Sequence, residues 1–229
     1  LVTPTTRYRV GDRYTTSNKQ TFRDSSDHEV EQMTFAGVLA QSSNTGTVMA
    51  GEKLTKQQRY DYLQRFGFGQ PSGLGFPGES RGILSTPDKW DGRQQYTVLF
   101  GQGVSVNTLQ AASVFATIAN GGVRMQPRLV QAVQDEKGEW EQVPMEEGTR
   151  VVSEHTAGQV ESMLESVVAE GTGGNAQIPG YRVGGKTGTA QAPDDRGGYT
   201  GYTASFIGLA PAGDPELVVA VTVQRPTNG

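Results

Sequence analysis

The stretch Tyr181-Arg182-Val183-Gly184-Gly185-Lys186-Thr187-Gly188-Thr189-Ala190-Gln191 decides between two folds. From Gly180 to Thr187 the chain matches the phosphate-loop pattern G-x-x-x-x-G-K-[ST]. Such a loop holds phosphate where a strand enters it and a helix leaves it, because the helix N-terminus supplies aligned N–H donors. Here Pro179 and Gly180 lead in, and Gly188-Thr189-Ala190-Gln191-Ala192-Pro193 follows, which starts no helix. In the other frame, Val183 to Gln191 alternates and reads as an edge strand, with glycine where a ligand approaches the backbone. A fixed ammonium on Lys186, hydroxyls on Thr187 and Thr189, and exposed backbone N–H groups around Gly188 suit a bound carboxylate and a developing oxyanion.

Downstream, Thr203–Leu209 and Leu217–Val223 read as further strands, parted by turns such as Gly213-Asp214-Pro215. Upstream, the first half reads mainly as helices joined by glycine loops. Met33 to Gln41 places Phe35, Val38 and Leu39 at helical spacing. Thr55-Lys56-Gln57-Gln58 is a capping box ahead of Tyr60, Leu63 and Phe66, with Gly67 as the stop. Residues 67–92 are loop-like, and a helix follows from Thr108 to Asn120. Val123 to Val143 reads as a strand pair around Asp135-Glu136-Lys137-Gly138, and Ser153 caps a helix through Val160, Leu164 and Val167 to Gly171. Helices first and consecutive strands last imply one α+β domain with an antiparallel sheet over residues 1–229.

Composition narrows the function. The 31 glycines and 11 prolines among 229 residues stay below the ~25–30% that marks low complexity. The longest apolar run, Leu217 to Val221, is far short of the ~20 residues a membrane helix needs. A net charge of −4 with scattered basic residues argues against a nucleic-acid surface. Asp135, Glu136, Glu139, Glu141, Glu146 and Glu147 read as a solvated hairpin face. With no cysteine, disulfides, thiol catalysis and Cys-based metal sites are excluded. His28 and His155 sit in no metal or triad signature and read as surface or helix-cap residues, so no metal or cofactor is expected.

The partner motif to Lys186-Thr187-Gly188 is Ser42-Ser43-Asn44, placed at the break between two short helices where side chains can enter a cleft. The S-x-N pattern also fits Ser105-Val106-Asn107, and Thr16-Ser17-Asn18 if threonine is allowed. On its own the motif is equally a polar helix cap.

Together, Ser42-Ser43-Asn44 and Lys186-Thr187-Gly188-Thr189-Ala190 resemble the second and third motifs of serine penicillin-recognising enzymes. The segments between and after them resemble class B penicillin-binding proteins, in particular division-associated D,D-transpeptidases. The matching segments are Phe66-Gly67-Phe68-Gly69, Gly73 to Glu79, Gly101 to Val106, Ala119-Asn120-Gly121-Gly122 and Ser205 to Pro211. The resemblance implies a penicillin-binding-protein/β-lactamase-like transpeptidase domain, an antiparallel sheet flanked by a helical subdomain. It implies peptidoglycan stem peptides ending in D-Ala-D-Ala as substrate, β-lactams as ligands and division-machinery membrane proteins as partners. The location it implies is the outer face of the bacterial cytoplasmic membrane, held by an anchor absent from this chain.

By the same resemblance, Ser42 relays a proton to the leaving amine, Asn44 binds the substrate amide, and Lys186 supplies positive potential. Thr187 and Thr189 hold the terminal carboxylate, with Ser43 and Gly188 beside them, and the Thr189 N–H forms half of an oxyanion hole. One element is missing: no serine here is followed by lysine at the third position, so the family's S-x-x-K is absent. The resemblance puts that nucleophile about 10 to 20 residues before Leu1, and the C-terminal helix beyond Pro226-Thr227-Asn228-Gly229. The expectation is therefore a domain truncated at both ends and inactive alone. Other functions stay open at this point: a nucleophile-free β-lactam or peptidoglycan sensor, a β-lactamase using Glu79 (which the resemblance assigns to a structural loop), and a phosphate-loop enzyme.

Overall fold

Short strands open the chain, where the sequence read as helical. The computed structural model describes residues 2–193 and 198–227; Leu1, Asn228 and Gly229, at the ends expected to be cut short, lie outside them. Strand β1 (Arg7–Val10) pairs antiparallel with β4 (Glu31–Thr34), and β2 (Arg13–Thr15) with β3 (Thr21–Arg23). Each is three or four residues long, so its alternation covers at most two inward positions, too few to read as a period. Their inward residues nevertheless build core: Val10 and Phe22 are fully buried. Met33, read as helical, belongs to β4.

Helices α1 (Phe35–Ala40), α2 (Asn44–Gly51) and α3 (Lys56–Arg65) follow. The box that starts α3 is formed as expected: the Gln58 N–H donates to Thr55 Oγ1 at 3.1 Å, and the Thr55 N–H to Gln58 Oε1 at 2.9 Å. The one-turn α4 (Gln94–Thr97) precedes α5 (Thr108–Ala119), which carries a second box, Asn107 with Gln110. Gln110 is buried and its amide donates to the carbonyls of Gln70 (2.8 Å) and Arg81 (3.0 Å), tying down the glycine-rich loop.

The expected strand pair is narrower than Val123 to Val143. β5 (Val123–Arg124) pairs with β8 (Thr149–Arg150), whereas β6 (Ala132–Gln134) and β7 (Trp140–Gln142) make the hairpin. Asp135 Oδ1 accepts the N–H groups of Lys137 and Glu139 and closes that turn. The six acidic residues around it are exposed, as a solvated face requires.

Helix α6 (Glu154–Glu170), capped by Ser153, leads into a three-stranded antiparallel sheet of order β11-β10-β9. Its strands are β9 (Gly184–Pro193), β10 (Tyr199–Ala210) and β11 (Leu217–Gln224), close to the three read from the sequence. Leu209 and Leu164 pack with Leu39, Phe115, Val160 and Val218, so α1, α5 and α6 share one core with the sheet. A second core, Phe22, Val48 and Tyr96, lies under the N-terminal strands and α2. The phosphate-loop frame fails on this geometry: Gly184 to Thr187 are strand, and the same strand runs on to Pro193.

Candidate active site

The site is built where α1 ends. Gln41 is the last near-helical residue, and Ser42 turns left-handed at φ 57°. The Ser42 N–H donates to Leu39 O (3.1 Å) and the Ser43 N–H to Val38 O (3.0 Å), the paired bonds of a Schellman ending. Glycine normally takes the left-handed position, because a Cβ there costs on the order of 1–2 kcal/mol. Serine occupies it here, and its hydroxyl meets Lys186, whose Nζ donates to Ser42 Oγ at 2.8 Å.

Lys186 stands on β9, one of the two outer strands of the described sheet, paired with Ile207 of β10. Its Nζ also donates to Thr187 O at 3.0 Å and approaches Thr187 Oγ1 at 3.4 Å. Burial holds the Lys186 pKa below its ordinary 10.5, because the ammonium loses water there. A lysine so placed becomes neutral at lower pH than an exposed one.

Thr187 has a second partner. Its Oγ1 lies 3.0 Å from Thr172 Oγ1, in the loop after α6. That loop is fastened to α1, since the Thr172 N–H donates to Ala40 O at 3.0 Å. Gly171 lies so close that a Cβ there would overlap Ala40 O. The ends of α1, α6 and the start of β9 thus meet within a few residues of Ser42. Gly188 pairs with Ser205, and a Cβ on it would fall 2.6 Å from Ser205 Oγ. Thr189 is exposed beside it, opposite Ala204.

Ser43 does not join this group. It is 3% exposed and caps α2: its Oγ donates to Asp24 Oδ2 (2.7 Å) and accepts the Gly46 N–H (2.9 Å). Its proton and one acceptor lone pair are thus engaged inside the protein, away from Lys186. Asn44 is half-buried as the first residue of α2, and its Nδ2 donates to Arg23 O at 3.2 Å.

His28, expected at the surface or as a helix cap, is half-buried beside Asp24. Its Nε2 lies 3.2 Å from Asp24 Oδ2 and its Nδ1 2.7 Å from Glu29 O. With acceptors at both ring nitrogens, the charged form is favoured and the pKa is raised, first by the Glu29 carbonyl and then by Asp24. No sequence signal marked Asp24; it follows an unremarkable three-residue strand.

The look-alike motifs are structural. Asn107 caps α5, and Ser105 bridges to Ile83. Thr16 Oγ1 donates to Asn18 Oδ1 at 2.6 Å in the turn between β2 and β3. Glu79 accepts the Ser72 N–H and hydroxyl (both 3.0 Å) and Asn107 Nδ2 (3.2 Å), and the Ser72 N–H leads in holding its pKa low. It fastens a loop. Among the described residues no cluster of metal ligands occurs, and no helix is long and apolar enough to cross a membrane.

The whole chain, residues 1–229, matches the family described as penicillin binding protein transpeptidase domain. Penicillin-binding protein PbpB of Mycolicibacterium smegmatis is 38% identical over 216 residues, 90% of this chain and 33% of that protein. Stage V sporulation protein D of Bacillus subtilis is 44% identical over 198 residues, 84% of this chain and 30% of that one. The crystal structure of penicillin binding protein 3 from Mycobacterium tuberculosis, complexed with aztreonam, superposes with a TM-score of 0.94 at 35% identity. That superposition covers 99% of this chain and 53% of the other. The chain spans about a third of the length of these two curated relatives.

Proposed function

Because this chain belongs to the penicillin-binding protein transpeptidase domain family, we propose that it supplies the proton-relay and substrate-carboxylate half of a D,D-transpeptidase site. The reaction is acyl transfer on peptidoglycan stem peptides. A serine oxygen bonds the penultimate D-Ala carbonyl carbon, the C–N bond to the terminal D-Ala breaks, and Ser42 passes a proton to the leaving amine. The amine of a second strand then attacks the ester, forms the cross-link and releases the serine.

The observation that carries this reading is the 2.8 Å contact from Lys186 to Ser42, which joins two motifs 144 positions apart. The lysine's lowered pKa matches a proton relay through Ser42 Oγ. Thr187 and Thr189 beside an ammonium suit the terminal carboxylate, Asn44 suits the substrate amide, and β9, at an edge of the described sheet, suits a peptide laid along it. β-Lactams enter the same site, with the ring amide in place of the scissile bond and the leaving nitrogen held by the ring remnant.

No serine among the 229 residues has lysine at its third following position. We therefore assign the nucleophile to a segment outside this sequence, and treat these residues as part of one transpeptidase domain that does not acylate alone. The parent protein works on the outer face of the cytoplasmic membrane, where stem peptides are, alongside division-machinery membrane proteins.

Labelling of the full-length protein with a fluorescent penicillin tests the reading. Lys186→Ala and Ser42→Ala are each expected to slow acylation by ~10²-fold, the lower range for loss of an acid–base group. Labelling at wild-type rate in both variants would refute it.

A further inference from the structure

Asp24 contacts no residue of the cleft directly, yet it holds the turn that presents Ser42 and Asn44. The carboxylate is 8% exposed. Oδ2 accepts Ser43 Oγ (2.7 Å) and His28 Nε2 (3.2 Å) and lies 3.3 Å from Thr45 Oγ1, and Oδ1 accepts the Thr45 N–H (2.9 Å). Its neighbour Arg23 offers its carbonyl to Asn44 Nδ2. Residues 43, 44 and 45 are thus all tied to residues 23 and 24, 20 positions upstream.

The carboxylate also sits at the N-terminus of α2, where the free N–H groups of the first turn favour negative charge. Its grip on Ser43 orients the cap that in turn accepts the Gly46 N–H. Ser42 precedes that cap in a left-handed conformation serine does not choose freely. Something must over-determine it. The Schellman bonds fix it from the α1 side, and the Asp24 cluster fixes it from the α2 side.

We infer that Asp24, oriented by His28, is a positioning residue that sets the Ser42 turn against Lys186. This rests on the acyl-transfer reading above. An asparagine cannot replace the aspartate silently. Its NH₂ group would face three donors at the Oδ2 position, or the Thr45 N–H at the Oδ1 position, so one side always mismatches.

The test uses the full-length protein and a fluorescent penicillin, with saturating acylation rate and apparent binding constant measured separately. Asp24→Ala and Asp24→Asn should lower the saturating rate by ~10- to 100-fold, the scale of a catalytic group displaced by about 1 Å. In a Ser42→Ala background the same change should lower it by less than about threefold, because Asp24 acts through Ser42. Equal losses in both backgrounds, or a rate within twofold of wild type in the folded single variants, would overturn the inference. A second measurement does not depend on turnover. A crystal structure of the Asp24→Ala protein should show the Lys186–Ser42 contact opened, and retention of that contact overturns the inference. A wild-type protein that does not acylate would count against the acyl-transfer reading, leaving the crystal structure to decide the positioning role.

Discussion

Lys186 Nζ reaches Ser42 Oγ at 2.8 Å because two chain ends are pinned at the same place. The left-handed turn at Ser42 swings its hydroxyl out of α1, and Gly171 lets the end of α6 settle against Ala40. The strand that carries Lys186 starts 13 positions after Gly171 and is held to α6 by the Arg182–Glu165 pair, bonded twice at 2.6 Å. The site therefore depends on backbone geometry as much as on its side chains.

Backbone strain at position 42 separates the serine's two roles. Ser42→Gly removes both the hydroxyl and the Cβ penalty, whereas Ser42→Ala removes the hydroxyl alone. Ser42→Gly should be the more stable of the two by ~1 kcal/mol, the size of the left-handed penalty. Both should lose the lysine contact and acylate equally slowly. Chemical denaturation of the pair checks this, and equal midpoints would mean that the turn is unstrained.

Gly171 tolerates no side chain. In Gly171→Ala the new methyl meets Ala40 O, so the end of α6 or of α1 must move. A loss of ~1–3 kcal/mol is expected, the usual cost of overpacking, with slower β-lactam acylation. Thermal melting and labelling of the variant report on the two effects separately.

Protonation of His28 links pH to stability. Its pKa is raised in the folded protein by the Glu29 carbonyl and by Asp24, with Glu31 Oε1 4.0 Å away adding in the same direction. The folded state thus holds the proton more tightly than the unfolded chain. The stabilisation is complete below the ordinary value of 6.5 and is lost as pH rises through the raised one. Over that interval wild-type stability should fall with pH, and His28→Gln should flatten the slope. Denaturation midpoints across neutral pH measure it.

Legibility in the sequence followed the range of the interactions involved. The α3 box, the helix α6 and the strands β9 to β11 were readable because capping and periodicity are local, and Lys186-Thr187-Gly188 was readable because its spacing is rigid in a strand. The S-x-N spacing singled out Ser42, but the inward course of Ser43 toward Asp24 was not legible, because it follows from the left-handed turn between two helices. Asp24 and Thr172 were missed because their roles come from tertiary pairing with residues 15 or more positions away, and the local contacts of His28 matter only through Asp24. The strands β1 to β4 were missed for the same reason, being too short to show a period without their partners.

Arg59 holds the helical part together. The residue is 6% exposed, and its guanidinium donates from Nη2 to Gly51 O at 2.9 Å and from Nη1 to Gln95 O and stacks 5.2 Å from the Tyr96 ring centre. Burial lowers its pKa, so relief of that desolvation offsets part of any loss. Arg59→Met takes the donor from Gln95 O, at ~1–3 kcal/mol before that relief, and the ring stack, at ~1–2 kcal/mol, whereas Gly51 O keeps the Leu54 N–H at 3.0 Å. A net loss of ~2–4 kcal/mol is expected, and a smaller one for Arg59→Lys, by denaturant titration.

The central claim is that these residues complete an acyl-transfer site whose nucleophile lies outside them. Peptide mapping after β-lactam treatment tests it most directly, on the full-length protein and on the 229-residue chain in parallel. The expected result is one adduct in the full-length protein, on a serine followed by lysine at the third position and outside these residues, and none on the isolated chain. An adduct on any serine of this sequence, or none in either sample, would contradict it.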